Sequence, residues 1–357
     1  MKIGILTFHR CINYGSYWQA RCLAEGLRSR GHDAFLLDHA SRRVDIAEWR
    51  CALRPTLPAP APDRARYRTK IRRFFRAFES LPLSPRFPLE RPARMPRCDA
   101  VVVGSDEVWN LSHPWYGGYP LFYGEGLRTP RLLAHAASFG SLDPRAGLAP
   151  HWAQKLRAFE AISVRDQTSQ AVVAEAIGRE PELVLDPCLQ FPPEPGAADG
   201  ELPGRPYAVV YGHGFSDGFA ANAKRWARRR GLLLLSVGYR NDWADRQWLE
   251  AGPHEFAHAI AHAQAVATNF FHGCVFALRH RKPFACESSW YRGNKLRCLM
   301  DTVGAQRHLL GEDAPASAYA AALGEPLDDA VPARIETLRH ASDRHLDRAL
   351  AARRMSA

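Results

Sequence analysis

No stretch of this 357-residue chain approaches the ~18–20 uninterrupted apolar residues that a membrane-spanning helix needs. The opening, Met1-Lys2-Ile3-Gly4-Ile5-Leu6-Thr7, runs into polar residues too soon for a secretory signal, so a cytoplasmic protein is expected. No Cys-x-x-Cys pair occurs. Cys11, Cys22, Cys51, Cys98, Cys188, Cys274, Cys286 and Cys298 are scattered, which argues against the disulfide framework of a small secreted domain and for reduced, part-buried thiols. Cys11 and Cys274 fall in functional-looking loops, but no neighbouring feature argues for a lowered thiol pKa. Repeats at solenoid periods are also missing.

Acidic charge is in short supply relative to basic: the formal net charge is +11 and the pI about 9.5. Such a balance suits an anionic partner. Much of the excess lies in Arg64 to Arg76, which reads as a basic helix over 64–78 with Tyr67, Ile71, Phe74, Phe75 and Phe78 at near-helical spacing. That stripe either packs on the core or rests on anionic lipid as a peripheral membrane contact. No recognition motif accompanies the charge, so nucleic acid is not an expected partner.

Along the chain, strand and helix signals alternate. Lys2 to Thr7, Ala34 to Leu37, Ala100 to Val103, Arg131 to Ala136, Ile162 to Val164 and Leu183 to Leu185 are short apolar runs of the kind buried in parallel sheets. Ser16 to Arg30 reads as a helix stopped by Gly31. Residues 191–206 are dense in Pro, Gly and acid and form the best linker. Tyr207 to Tyr211, Leu232 to Ser236, Ala265 to Thr268 and Pro283 to Ala285 then read as strands, with helices at Phe219 to Arg230 and His254 to Ala263. The expectation is an α/β protein of two doubly wound, Rossmann-like domains facing across a cleft, a GT-B-like architecture. The first domain would span 1–190, the second 207–330, and a polar helix 331–357 would follow. Ligands in such sheets sit beyond the carboxyl ends of the strands.

The conspicuous post-strand segments are candidates for chemistry. The loop Phe8 to Ser16, with Asn13, Tyr14 and Gly15, leads into a helix N-terminus whose free N–H groups suit an anion. Gly104-Ser105-Asp106-Glu107-Val108-Trp109-Asn110 sets two carboxylates beside a Trp and an Asn, either as a site or as a capped helix start. Arg165, after a strand, could clamp a phosphate or pair with Asp166 or Asp186. His272, followed by Gly273, is placed to serve as an acid or base, with Gly273 leaving room for a ligand. His254-Glu255-Phe256-Ala257-His258, with His262 a turn on, matches a zinc-peptidase spacing, but the other side of that helix is an ordinary core face, and no metal is expected.

Taken together these segments resemble the polysaccharide pyruvyl transferases. The resemblance rests on Lys2 to Phe8 with Asn13-Tyr14-Gly15 and Gln19-Ala20; on Val103-Gly104-Ser105-Asp106 with Val108-Trp109-Asn110; on Ala136 to Gly140; on Ser163-Val164-Arg165-Asp166; on Leu185-Asp186-Pro187; and on Thr268-Asn269 with Phe271-His272-Gly273. It covers residues 1 to about 290. The chain departs from the family in carrying Glu107 where Gln is usual, Asp166 where Glu is usual, and Phe270 where Ser or Arg stands.

The resemblance implies transfer of a pyruvyl group from phosphoenolpyruvate, as co-substrate, onto sugar hydroxyls of a polysaccharide or lipid-linked glycan precursor. No other cofactor is implied. By resemblance and position His272 would be the acid and Asp106 the base. Arg165 would clamp the phosphate, with Arg292 and Lys295 as second-choice cations. Asn13, Tyr14, Gly15 and Gly273 would contact the donor, and Glu107, Trp109 and Asn110 the acceptor. Two other functions fit the same cleft: a glycosyltransferase using a nucleotide sugar, for which Glu287 is the nearby ribose acceptor, and a non-catalytic glycan-binding protein, towards which Phe270 and Glu107 lean.

Overall fold

The computed structural model describes residues 1–55, 60–192, 202–288 and 293–351. Its strands are β1 (Lys2–Leu6), β2 (Asp33–Leu36), β3 (His39–Ala40), β4 (Phe87–Pro88), β5 (Ala100–Val103), β6 (Leu132–Ala137), β7 (Ala161–Val164) and β8 (Glu182–Leu183), then β9 (Tyr207–Tyr211), β10 (Leu233–Val237), β11 (Arg246–Trp248), β12 (Val266–Thr268), β13 (Phe284–Glu287) and β14 (Leu309–Leu310). They form two six-stranded parallel sheets, ordered β2-β1-β5-β6-β7-β8 and β11-β10-β9-β12-β13-β14; β3 and β4 are a separate short pair. Each six-stranded sheet is fully parallel because its apolar runs, such as Ala100–Val103 and Tyr207–Tyr211, are buried on both faces.

The helices are α1 (Tyr14–Arg28), α2 (Arg42–Ala52), α3 (Asp63–Glu79), α4 (Pro150–Leu156), α5 (Gln167–Ile177), α6 (Pro187–Gln190), α7 (Asp217–Arg229), α8 (Pro253–His262), α9 (Phe271–Arg279), α10 (Gly293–Val303), α11 (Ala316–Gly324) and α12 (Ala330–Ala351). Local chemistry sets their starts. Asn13 caps α1 by accepting from the Gly15 and Ser16 amides, Asp166 caps α5 through Ser169, and Ser216 caps α7 through Phe219. Asp166 is therefore a helix cap, and Arg165 pairs with other carboxylates.

Strand order reverses direction between β1 and β5 in the first sheet and between β9 and β12 in the second. A doubly wound sheet opens its ligand crevice at such switch points. The segments following β1, β5, β9 and β12 are thus the ones that meet across the cleft.

The halves are tied along a broad seam. Trp18 Nε1 donates to Pro253 O at 2.9 Å and Tyr14 Oη to Ala251 O at 2.7 Å. Helix α3 straps the seam: Asp63 pairs with Arg240, Arg66 Nε reaches Glu250 at 2.8 Å, Lys70 Nζ donates to Gly238 O at 3.0 Å, and Arg73 donates to Glu250 O at 3.1 Å. The stripe expected on this helix divides: Tyr67, Phe74 and Phe78 are buried, whereas Phe75 is exposed. Helix α12 returns to the first half, where Ser342 Oγ accepts from Leu185 N at 3.0 Å and Arg131 donates to Leu350 O at 2.8 Å. Of the stretch 191–206, residues 193–201 lie outside the described residues.

Candidate active site

A cavity of about 310 Å³ lies where the four post-strand segments meet, lined by Asn13, Ser16, Asp106, Glu107, Arg165, Tyr211, His213, Tyr239, Phe270, Phe271, His272 and Lys295. The first half contributes mainly charge, the second mainly rings and His272. Asp106 sits in a left-handed turn, φ 73°, just after β5. Its Oδ2 accepts from Ser16 Oγ at 2.8 Å, and its Oδ1 from Arg165 Nη2 at 3.0 Å and Glu107 N at 2.9 Å. Gly104 makes this turn possible, because a Cβ there would lie 2.3 Å from His135 O.

Arg165 is the hub. It bridges Asp106 and Asp186, the latter at 2.9 Å, and lies over the Phe271 ring at 4.8 Å. Burial alone would lower its pKa, but Asp106 and Asp186 outweigh burial and raise it. Burial likewise pushes the Asp186 carboxyl up, yet His272 and Arg165 beside it hold it below the usual carboxylate range. Glu107 follows the same logic: burial raises it, but Lys295 at 2.6 Å prevails and brings it down to about 2. Both carboxylates are therefore anions at neutral pH, and each partner cation already faces one.

His272 occupies the first turn of α9. Its Nε2 stands 3.7 Å from Asp186 Oδ2, beyond hydrogen-bond reach, and has no hydrogen-bond partner among the described residues although it is buried. A buried, unpaired ring nitrogen on the wall of a polar cavity is costly unless a ligand or water completes it. Across the cavity floor, Phe270 meets Tyr211, His213 and Tyr239 at centroid distances of 5.1, 5.3 and 5.3 Å, an aromatic wall.

The structure brings Asn13, Asp106, Glu107, Arg165, His272 and Lys295 to one cavity. Other sequence candidates are placed differently. Tyr14 is in the seam between the halves, stacked on Phe256 at 4.5 Å, and does not line the cavity. Gly15 leaves space for the imidazole: a Cβ there would lie 2.0 Å from His272 Nδ1. Gly273 makes no room for a ligand; its missing side chain lets α9 pack on β12, where a Cβ would meet Thr268 Oγ1 at 2.1 Å. Trp109 is fully buried and donates from Nε1 to Phe122 O at 2.9 Å, a core residue and not an acceptor platform. Asn110 stands behind Glu107, donating to its Oε2 at 2.9 Å. Arg292 lies outside the described residues. Glu287, the ribose-acceptor candidate, is occupied at the start of α7, accepting from Ser216 N and Oγ.

The His-Glu-x-x-His helix is otherwise employed. Glu255 accepts from Gly252 N, His254 Nε2 meets Tyr17 Oη at 3.2 Å, and the His258 and His262 rings lie 4.2 Å apart. Asp186, Cys188 and His272 do converge, with ligand atoms within 4.8 Å. A cation there would face the Arg165 guanidinium and a thiol that burial keeps protonated. Cys11 and Cys274 are also raised well above the ordinary thiol value by burial.

Sequence reading names Asp186 as a motif member and as one possible partner of Arg165, which the structure shows it to be, but misses its place beside His272 and the ring wall of His213 and Tyr239. A signal existed for each: Asp186 follows β8, His213 follows β9 and Tyr239 follows β10, the same post-strand position that exposed the other candidates.

Two parallel doubly wound sheets facing across a polar cleft define a GT-B-like α/β protein. The polysaccharide pyruvyl transferase profile matches residues 13–290, so the chain belongs to that family. No curated protein matches it in sequence. Similar solved structures include an S. aureus MnaA–UDP complex (11% identity, TM-score 0.49, covering 100% of this chain and 99% of that one). Another is UDP-GlcNAc 2-epimerase from Neisseria meningitidis bound to UDP-GlcNAc (9%, 0.46, 98% and 94%). A third is E. coli heptosyltransferase WaaC with ADP-2-deoxy-2-fluoro heptose (12%, 0.41, 94% and 99%). At these scores the likeness is one of chain path, and no chemistry is transferred through it.

Proposed function

We propose that this protein forms a pyruvate ketal on two hydroxyls of a sugar acceptor, with phosphoenolpyruvate as donor. The observation that carries the reading is the buried Nε2 of His272, which has no hydrogen-bond partner among the described residues and lines one cavity with Asp106 and Arg165. His272 gives a proton to the methylene carbon of the enol phosphate, leaving an oxocarbenium-like centre at the carbon bearing the phosphate. A first sugar hydroxyl adds there and passes its proton to Asp106. The carbon–oxygen bond to phosphate then breaks, inorganic phosphate leaves beside Arg165 and Lys295, and the second hydroxyl closes the ring, its proton passing to the imidazole that gave one up in the first step. Both cations are paired in the resting protein, so donor anions would exchange with Glu107 or Asp106 for them. The ring wall of Tyr211, Tyr239 and Phe270 supplies an apolar surface for a sugar face.

The test uses glycans from the producing cell, with and without the protein, analysed by mass spectrometry for a pyruvate-sized difference. Purified protein is then assayed for phosphate release from phosphoenolpyruvate. His272→Gln keeps a hydrogen-bonding side chain but no acid, and should turn over at least ~10²-fold more slowly while still binding donor. Near-wild-type turnover in the folded variant would remove His272 from the role. Transfer from a nucleotide sugar, with no pyruvate-sized change, would replace the reaction itself.

A further inference from the structure

Among the described residues, the large hydrophobic side chains left exposed are Met1, Ile46, Trp49 and Phe75, and the last three form one patch. Ile46 and Trp49 lie three positions apart on α2, hence on one face. The Trp49 ring meets that of Phe75 on α3 edge-on, with centroids 5.7 Å apart, joining the two helices into one surface. The side chains are 39%, 49% and 36% exposed. Among the described residues none covers them.

The surroundings are cationic. Arg42 and Arg50 flank Ile46 at four-residue spacing on α2, and Arg68, Arg72 and Arg76 continue the Phe75 face of α3; all are exposed. Three of the four acids of the two helices are engaged away from Arg42, Arg50, Arg68 and Arg72. Glu48 is buried and accepts from Ile12 N, Asp63 pairs with Arg240, Asp45 faces Arg86, and Glu79 stands at the end of α3. The opposite face of α3 is committed to the seam through Arg66, Lys70 and Arg73.

We propose that the outer face of α2 and α3 docks peripherally on an anionic lipid bilayer. Bulky apolar side chains at the centre need an apolar layer at shallow depth, and the arginines around them need phosphates just above it; a bilayer interface supplies both at that spacing. Trp favours that depth because its ring is amphipathic. A nucleic-acid backbone would satisfy the arginines but leave Ile46, Trp49 and Phe75 against phosphate and water. The inference does not depend on the pyruvyl chemistry.

The full chain is sedimented with vesicles of mixed phosphatidylglycerol and phosphatidylcholine, and with phosphatidylcholine alone, at low and high salt. Binding to the mixed vesicles, weakened by salt and slight on phosphatidylcholine, is expected. Trp49→Ala/Phe75→Ala should weaken it at least about tenfold. Arg68→Ala/Arg72→Ala should weaken it about 25-fold, since each basic residue near the surface is worth about fivefold. Thermal melts check that these surface variants remain folded. Absence of binding, equal binding to both vesicle types, or binding indifferent to Trp49→Ala/Phe75→Ala would overturn the proposal. A concentration-dependent dimer that Trp49→Ala/Phe75→Ala abolishes, without vesicle binding, would make the patch an interface between copies of this chain. Binding of a single-stranded RNA homopolymer without vesicle binding would assign the arginines to nucleic acid instead.

Discussion

Replacing Gly15 by Ala adds one methyl group at a position where the backbone does not resist it. Gly15 lies in the first turn of α1 with ordinary helical geometry, so Ala should favour the helix by about 1 kcal/mol. The obstacle is on the other half of the molecule. The new Cβ would stand 2.0 Å from His272 Nδ1 and 2.4 Å from Cε1, against an ordinary contact of 3.4–4 Å. The imidazole must retreat by about 1.4 Å, or the seam must open by as much. Overpacking of this kind costs about 1–3 kcal/mol, so the net loss of stability is about 0–2 kcal/mol, small beside the ~5–15 kcal/mol that holds a native protein. The variant should fold. A catalytic group displaced by more than ~1 Å, however, can lose about 10²-fold in rate, and turnover should fall by that order. Phosphate release measures the rate, and chemical denaturation the stability. A double-mutant cycle separates the contact from its consequence: with His272→Ala the clash vanishes, so the pair should show a coupling of about 1–3 kcal/mol in stability. Additive stabilities together with full activity in Gly15→Ala would refute the claim that this glycine exists to seat the imidazole.

Two further outcomes follow from buried groups. Burial lowers Lys70 from 10.5 to about 7. Between those values the unfolded chain holds a proton that the folded chain sheds, so stability rises with pH across that window by at most ~1.4 kcal/mol per unit, and below pH 7 the slope disappears because both states are protonated. Lys70→Met should remove this contribution; denaturation of the two proteins side by side at pH 7.5 and 9.5 checks it, and equal slopes would mean that Lys70 keeps its charge against Tyr14 and Tyr239. Trp109→Phe loses the bond to Phe122 O and some core volume, and should cost about 1–3 kcal/mol of stability with little change in KM for the acceptor. A large rise in KM at unchanged stability would return Trp109 to the cleft.

What the sequence discloses here is position along the sheet, and what it withholds is direction. Short apolar runs such as Ala100–Val103 have one ready explanation, a strand buried on both faces, and the residue after such a strand lies at the ligand edge whatever the rest of the chain does. Asp106, Arg165 and His272 all follow such strands, β5, β7 and β12. The edge strands of the second sheet escaped that argument: β11 is the polar stretch Arg246–Trp248 and β14 only the pair Leu309–Leu310. Orientation depends on partners far away in sequence. Trp109 turns inward because an acceptor, Phe122 O, waits there, and Tyr14 points into the seam because Ala251 O does.

Glycine illustrates the same divide. Gly15 and Gly273 look alike in sequence, each beside a candidate site residue. One is small because His272 approaches from the other half, the other because Thr268 lies beneath its own helix. Arg165 was legible as a cation after a strand, but its two partners, Asp106 and Asp186, come from strands 59 and 21 residues away, and only the fold decides that it bridges both. That bridge has a chemical consequence. Asp106, the proposed base, shares its Oδ1 with Arg165, so a donor phosphate drawing the guanidinium towards itself would free that oxygen for a sugar hydroxyl. Under that proposal, donor binding and release of Asp106 from Arg165 would be one event.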